Sequence, residues 1–243
     1  MNSVPETGYE RRTALVTGGG RGIGAAISAR LKADGFRTII LDIERPDVDA
    51  DIFHRIDLSD ADATAELCRQ LAEQEPVTCL VNNVGIVAPA KIEDVALPDL
   101  DRLMHINLRP SIICTQSFLP VMKRLGGGRV VMNTSRVTRG KELRTLYSAT
   151  KGAAQSMART WALELGAYGV TVNCVAPGPI ATDAFWRNNP PDAPLTKEII
   201  DGVPVKRLGT GEDVANAVSF FCAPEAGFVT GQTLFVCGGV TVG

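Results

Sequence analysis

In Thr17-Gly18-Gly19-Gly20-Arg21-Gly22-Ile23-Gly24, five glycines fall within eight residues. The stretch follows a short apolar run, Thr13 to Thr17, that reads as a buried strand, and it opens a helical pattern from Gly22 to Asp34. Glycines in such a turn let the backbone bend sharply and approach a pyrophosphate at the helix N-terminus, where free N–H groups and the helix dipole favour negative charge. The spacing is G-x-x-x-G-x-G, not the strict G-x-G-x-x-G fingerprint, so the strand before it and the helix after it carry the argument.

Outward from this turn, strand and helix patterns alternate. Arg37 to Asp42 completes a βαβ unit, and the rhythm continues as strand 52–57, helix 60–74, strand 77–82, helix 98–125, strand 128–134, helix 146–167 and strand 170–176. A last helix, 212–222, and a strand, Thr233 to Val236, close the chain. Such alternation predicts an α/β fold: one Rossmann-type domain over 1–243, a doubly wound parallel sheet with helices on both faces. Residues 1–11 read as a flexible N-terminus, and the irregular stretch at about 183–210 reads as a substrate lid. In open sheets of this kind ligands bind beyond the carboxyl ends of the strands, where the winding reverses.

Composition narrows the partners. With 45% apolar residues, 21% charged residues and a formal net charge of −2, the 243-residue chain has no positive field to draw it to nucleic acid or anionic lipid. No apolar run approaches the ~20 residues that span a bilayer. Six cysteines, Cys68, Cys79, Cys114, Cys174, Cys222 and Cys237, show neither a C-x-x-C pair nor histidines at zinc spacing, so no metal site is expected. The polar opening, Met1 to Arg12, lacks the apolar core of a signal peptide, and a cytoplasmic location is expected.

Candidate ligand residues follow the strands. Asp42 ends the second strand about where an acid receives the adenosine ribose hydroxyls of NAD, and it would repel the 2′-phosphate of NADP. Arg21 and Arg45 are the cations that could attract that phosphate instead, and NAD is favoured over NADP. Asp57, ending the third strand, can accept from the adenine amino group, and Asn82-Asn83-Val84-Gly85 can shape backbone against the adenosine. At the chemical end, Tyr147 and Lys151 share one helix face at i, i+4, and the lysine charge favours the phenolate. Ser135, twelve residues before Tyr147, can hydrogen-bond the same substrate oxygen.

Taken together, T-G-G-G-R-G-I-G at 17–24, N-N-V-G at 82–85, Asn107, Ser135, Y-S-A-T-K at 147–151 and P-G-P-I-A-T at 177–182 resemble the short-chain dehydrogenase/reductase family, over residues 12–243. The resemblance implies that Ser135 orients a carbonyl, Tyr147 transfers the proton, and Lys151 lowers the tyrosine pKa and holds the nicotinamide ribose. It implies that Asn107 anchors a water in a proton relay and that Ile180 and Thr182 contact the nicotinamide carboxamide. It places the cofactor against Gly18, Gly20, Arg21, Gly22, Ile23, Gly24, Asp42, Asp57, Leu58, Asn83, Gly85, Tyr147, Lys151, Pro177, Gly178, Ile180 and Thr182. A homodimer or homotetramer is implied by resemblance alone. Cys237 stands where the family commonly has Asp, and His54 and His105 match no catalytic position and read as structural.

Function is therefore expected to be hydride transfer between a nicotinamide cofactor and a secondary alcohol or ketone. Arg136, Arg139, Lys141 and Arg144 crowd the loop between Ser135 and Tyr147, and Arg187 lies in the lid; Arg139, Arg144 and Arg187 are the candidates to bind an anionic substrate. One alternative is an NADPH-dependent 3-oxoacyl-[acyl-carrier-protein] reductase, which Asp42 and the Tyr168 found in place of an arginine disfavour, although Lys123 and Arg124 could serve it. Another is a non-catalytic dinucleotide-binding regulator.

Overall fold

The computed structural model describes residues 12–242, and the expected flexible segment 1–11 lies outside them. Seven strands form one sheet: β1 (Thr13–Thr17), β2 (Arg37–Asp42), β3 (Ile52–Arg55), β4 (Val77–Asn82), β5 (Gly128–Asn133), β6 (Val170–Pro177) and β7 (Thr233–Val236). Every pairing is parallel, in the order β3-β2-β1-β4-β5-β6-β7. All five β1 residues and all eight β6 residues are buried, as near-continuous apolar strands covered on both faces must be.

The period-two alternation of a strand then builds two cores. Leu15 faces a layer with Phe118 and Ala158, contributed by α2 (Ala61–Gln74), α4 (Arg109–Arg124) and α5 (Thr145–Leu165). Ala14 and Val16 face the other, made with Ile27 of α1 (Gly22–Ala33) and Val218 of α8 (Gly211–Cys222). From β1 the chain winds out through β2 to β3, then crosses back to β4 and continues to β7, so the winding reverses between β1 and β4. The crevice at their carboxyl ends is where this topology puts ligands.

Three sequence expectations need correction. The helix expected over 98–125 is two: α3 (Leu97–Asn107) and α4, broken at Leu108 with φ −122° and ψ −51°. Pro110 offers no N–H to the Ile106 carbonyl and its ring crowds that group, so one straight helix cannot pass. The third strand ends at Arg55, which leaves Asp57 in a turn: its carboxylate accepts from Ser59 N (2.9 Å) and Ser59 Oγ (2.7 Å). The stretch 183–210 is not irregular throughout. It contains α6 (Asp183–Asn188), capped by Thr182 Oγ1 on Phe185 N, and α7 (Pro194–Asp201), and it closes where Ala181 N donates to Gly209 O at 2.8 Å.

All six cysteines are free thiols and buried. Among the described residues no helix is long and apolar enough to cross a membrane, and no three metal-ligating side chains converge.

Phe118 is fully buried on α4 within the first core. Truncation leaves a cavity that neighbours on three helices and the sheet cannot all collapse into. Phe118→Ala is expected to lower the unfolding free energy by about 3–5 kcal/mol, measured by urea denaturation.

Candidate active site

The glycine-rich turn is shaped by what surrounds it. A Cβ on Gly24 would lie 1.9 Å from the Gly18 carbonyl oxygen and 2.7 Å from Asn83 Nδ2, so no side chain fits where α1 meets the turn. Gly18 takes the left-handed conformation (φ +61°), and its N–H donates to Leu41 O at 2.8 Å. Arg21 precedes α1 without a side-chain cap, so the first N–H groups of the helix are not taken by a capping side chain.

Asp42 is bound into this turn. Its Oδ2 accepts from Gly20 N at 2.8 Å and its Oδ1 from Ile43 N at 2.7 Å, which fixes the carboxylate beside the phosphate-binding backbone. Arg21 points away to the exposed carboxylates of Glu44 and, at 3.7 Å, Asp47. A cavity of about 500 Å³ runs from Gly18 and Asp42 past Asp57, Leu58 and Val84 to Ile86. Arg102, His105 and Ile106 of α3 complete its wall, so His105 lines the candidate site. These residues fit a dinucleotide: a glycine cradle that a Cβ would fill, an uncapped helix N-terminus and a mostly apolar slot beside a carboxylate.

Asn83 shapes the backbone of the glycine turn through its side chain. Its Nδ2 donates to Thr17 O (3.0 Å) and Gly18 O (2.8 Å), and its Oδ1 accepts from Asn133 Nδ2 (2.7 Å), so the side chain serves the backbone. Asn107 is equally committed: Oδ1 accepts from Ile86 N (2.8 Å), and Nδ2 donates to Ile86 O and Thr150 Oγ1 (3.0 Å each). It thereby holds the loop at Gly85, where a Cβ would come within 3.2 Å of both Asn107 Oδ1 and Lys151 Nζ.

Ser135, Tyr147 and Lys151 converge at the ends of β5 and α5. Lys151 is 4% exposed, its Nζ donates to Asn133 O at 2.7 Å, and it lies 5.7 Å from the centre of the Tyr147 ring. Burial pulls the lysine pKa down to about 8. Burial pushes the Tyr147 phenol up to about 12, against a hydrogen bond with Ser135 and the charge of Arg144, both of which favour phenolate. The groups that lower the phenol are thus Ser135 and Arg144, and desolvation outweighs both.

Pro177 ends β6, and Gly178 N donates to Val236 O at 2.9 Å; a Cβ on Gly178 would meet Cys237 Cα at 2.7 Å. Thr182 lies opposite Gly22, where a Cβ would stand 3.6 Å from its methyl, and Ile180 pairs with Gly209 at the foot of the lid. Pro177–Thr182 thus faces the glycine turn across the crevice. Of the three substrate candidates Arg144 is the one whose charge acts on Tyr147. Arg139 is 5.9 Å from the ring centre of Phe235, and Arg187 is exposed on α6.

A family model described as enoyl-(acyl carrier protein) reductase matches residues 18–241. Acetoacetyl-CoA reductase of Rhizobium meliloti (strain 1021) is 35% identical over 94% of this chain and 98% of that protein. The 7alpha-hydroxysteroid dehydrogenase of Escherichia coli (strain K12) is 32% identical over 94% and 93%. The chain belongs to the short-chain dehydrogenase/reductase family. Among solved structures it is similar to a 3-oxoacyl (acyl-carrier-protein) reductase from Agrobacterium tumefaciens C58 with NADP bound, at TM-score 0.88 and 30% identity over 96% of this chain and 95% of that one. As a short-chain dehydrogenase/reductase it is a nicotinamide-dependent oxidoreductase of CH–OH and keto groups.

In this dehydrogenase/reductase Lys151 carries a testable cost. Its folded pKa, about 8, lies below the ordinary 10.5, so between these values the unfolded chain binds the proton more tightly and wild-type stability rises with pH. Lys151→Met removes the buried charge and loses one hydrogen bond. It is expected to raise the unfolding free energy by about 1–3 kcal/mol at pH 7, with the gain shrinking as pH rises from about 8 to 10.5, measured by denaturation across pH.

Proposed function

We propose that this enzyme transfers hydride between NAD and a secondary alcohol or ketone, with Tyr147 as acid/base, Ser135 orienting the substrate oxygen and Lys151 beside them. The observation that carries this reading is the convergence of those three side chains at the strand edge that also holds the glycine turn. The nicotinamide supplies or takes up the hydride when bound. Ser135 holds the substrate oxygen by hydrogen bonding, and Tyr147 gives its proton to that oxygen or takes it back. With its pKa near 12 the phenol is loaded with a proton at neutral pH, which suits ketone reduction; alcohol oxidation needs phenolate and should quicken as pH rises. Lys151, held on the Asn133 carbonyl, supplies the positive charge that favours phenolate. The family model's description names reduction of a carbon–carbon double bond, whereas Ser135 and Tyr147 are suited to an oxygen.

Preference for NAD is supported by Asp42, fixed at the adenosine side of the cavity, and by the diversion of Arg21 to Glu44 and Asp47. A 2′-phosphate there would face three carboxylates. The NADP-bound relative is matched to its own cofactor, and nothing in its likeness requires the same choice here. A carrier-protein reductase remains the second reading, because Lys123 Nζ lies 3.8 Å over the Tyr168 ring and so puts a cation on the surface where acidic carrier protein would dock. We further infer a cytoplasmic assembly of two or four copies, supported by exposed apolar side chains such as Leu163 and Phe228.

Fluorescence titration is expected to show NADH binding at least about ten-fold tighter than NADPH, with Asp42→Asn erasing most of the difference. Tyr147→Phe should bind NADH as wild type does and lose at least about a hundred-fold in turnover. Full turnover in Tyr147→Phe would remove the tyrosine from the mechanism, and tighter NADPH binding would remove the role given to Asp42.

A further inference from the structure

We propose that Arg136 and Arg144, with Lys141 beside them, bind a carboxylate or phosphate carried by the substrate, so that the alcohol or ketone this enzyme turns over is anionic. The inference rests on the hydride-transfer reading and names the substrate class of that same site.

Arg136 directly follows Ser135 in the chain and opens the short helical turn Arg136–Arg139. That turn is pinned on both sides. Ser135 Oγ accepts from Val137 N at 3.3 Å, and Ser148 Oγ of α5 donates to Val137 O at 3.1 Å. Arg136 is half-buried and forms no ion pair with a carboxylate among the described residues. Some arginines elsewhere on the surface are matched, Arg30 with Asp34, Arg37 with Glu75, Arg69 with Glu66 and Glu73, and Arg207 with Asp213. Unlike Arg136, however, Arg45, Arg109, Arg124, Arg159 and Arg187, which lack an ion pair among the described residues, are exposed.

Arg144 arrives from the opposite side. It immediately precedes α5, three residues before Tyr147, and its charge acts on the Tyr147 phenol. The preceding Leu143 is held in the left-handed region (φ 60°), which a leucine avoids, and its carbonyl accepts from Ala90 N at 3.3 Å and Arg144 Nη1 at 3.0 Å. The loop is thus fixed in a strained shape next to the catalytic tyrosine.

The cations are near enough to oppose one another. Burial depresses the Arg136 guanidinium, which Cys237 favours and Arg144 disfavours; burial and then Arg136 and Arg144 depress the Lys141 ammonium, with Glu142 opposing. An oxyanion relieves this repulsion, and the planar fork of arginine matches carboxylate and phosphate oxygens. The probes that test this carry the anionic group a few bonds from the reacting carbon.

The test oxidises matched probes with NAD and NADP: 4-hydroxypentanoate against its methyl ester, and glycerol 3-phosphate against glycerol. Wild type, Arg136→Gln, Arg144→Gln and Arg136→Lys are compared, and circular dichroism identifies any variant that fails to fold, leaving the other to decide. The proposal expects kcat/KM for one charged probe to exceed its neutral partner's by about ten- to a hundred-fold, mainly through KM. That preference should collapse toward one in both glutamine variants and return in part with lysine; whether the carboxylate or the phosphate arm responds identifies the anion. Equal turnover of charged and neutral partners overturns the proposal while leaving hydride transfer intact. If no probe reacts, calorimetric titration of the NAD-loaded protein with butyrate and with inorganic phosphate decides. Saturable binding weakened at least about ten-fold in both glutamine variants supports the anion site, and no binding, or binding they leave unchanged, overturns it.

Discussion

A single line of hydrogen bonds joins the glycine-rich turn to Lys151. Asn83 donates to the Thr17 and Gly18 carbonyls and accepts from Asn133, and the Asn133 carbonyl accepts from Lys151. Each link crosses from one strand end to the next, β1 to β4 to β5, and then to α5. The sheet supplies the spacing. Parallel pairing sets the carboxyl ends side by side, and every polar group there must find a partner or remain unsatisfied next to an apolar core. The glycine turn and the start of α5 are consequently positioned by the same few atoms.

Burial gives that positioning its chemical effect. Away from water, a charge is worth more to its neighbours and costs more to hold. Lys151 is drawn down to about 8 and Tyr147 is pushed to about 12, so burial works against the charged form of each, while at neutral pH the lysine and the phenol both keep their protons. Anything that brings charge into the crevice changes the balance. The unmatched cations before Tyr147 and the carboxylates around Arg21 extend the same logic to the two ends of the ligand.

Much of this was legible in the sequence because it rests on local rules. Five glycines between a strand and a helix, the alternating periodicities, and Tyr147 four residues before Lys151 each carry their meaning within a short window. The break at Leu108 was also signalled, by Pro110, but a continuous apolar pattern masked it. What could not be read depends on distant partners. Asn83 could be read as shaping backbone, but only the fold brings Asn133 to it across 50 positions. Arg21 showed no partner in its own stretch of sequence, and the fold brings Glu44 and Asp47 to it. His105 matched no motif, because its place in the cavity wall comes from the direction of α3.

The most direct test is a fluorescence titration of Asn83→Ala with NADH. The substitution leaves the Thr17 and Gly18 carbonyls and the Asn133 amide without their partner. If the glycine turn depends on that line of hydrogen bonds, affinity falls at least about ten-fold with the protein still folded. Affinity equal to wild type would show that the turn keeps its shape without Asn83, and would contradict the account.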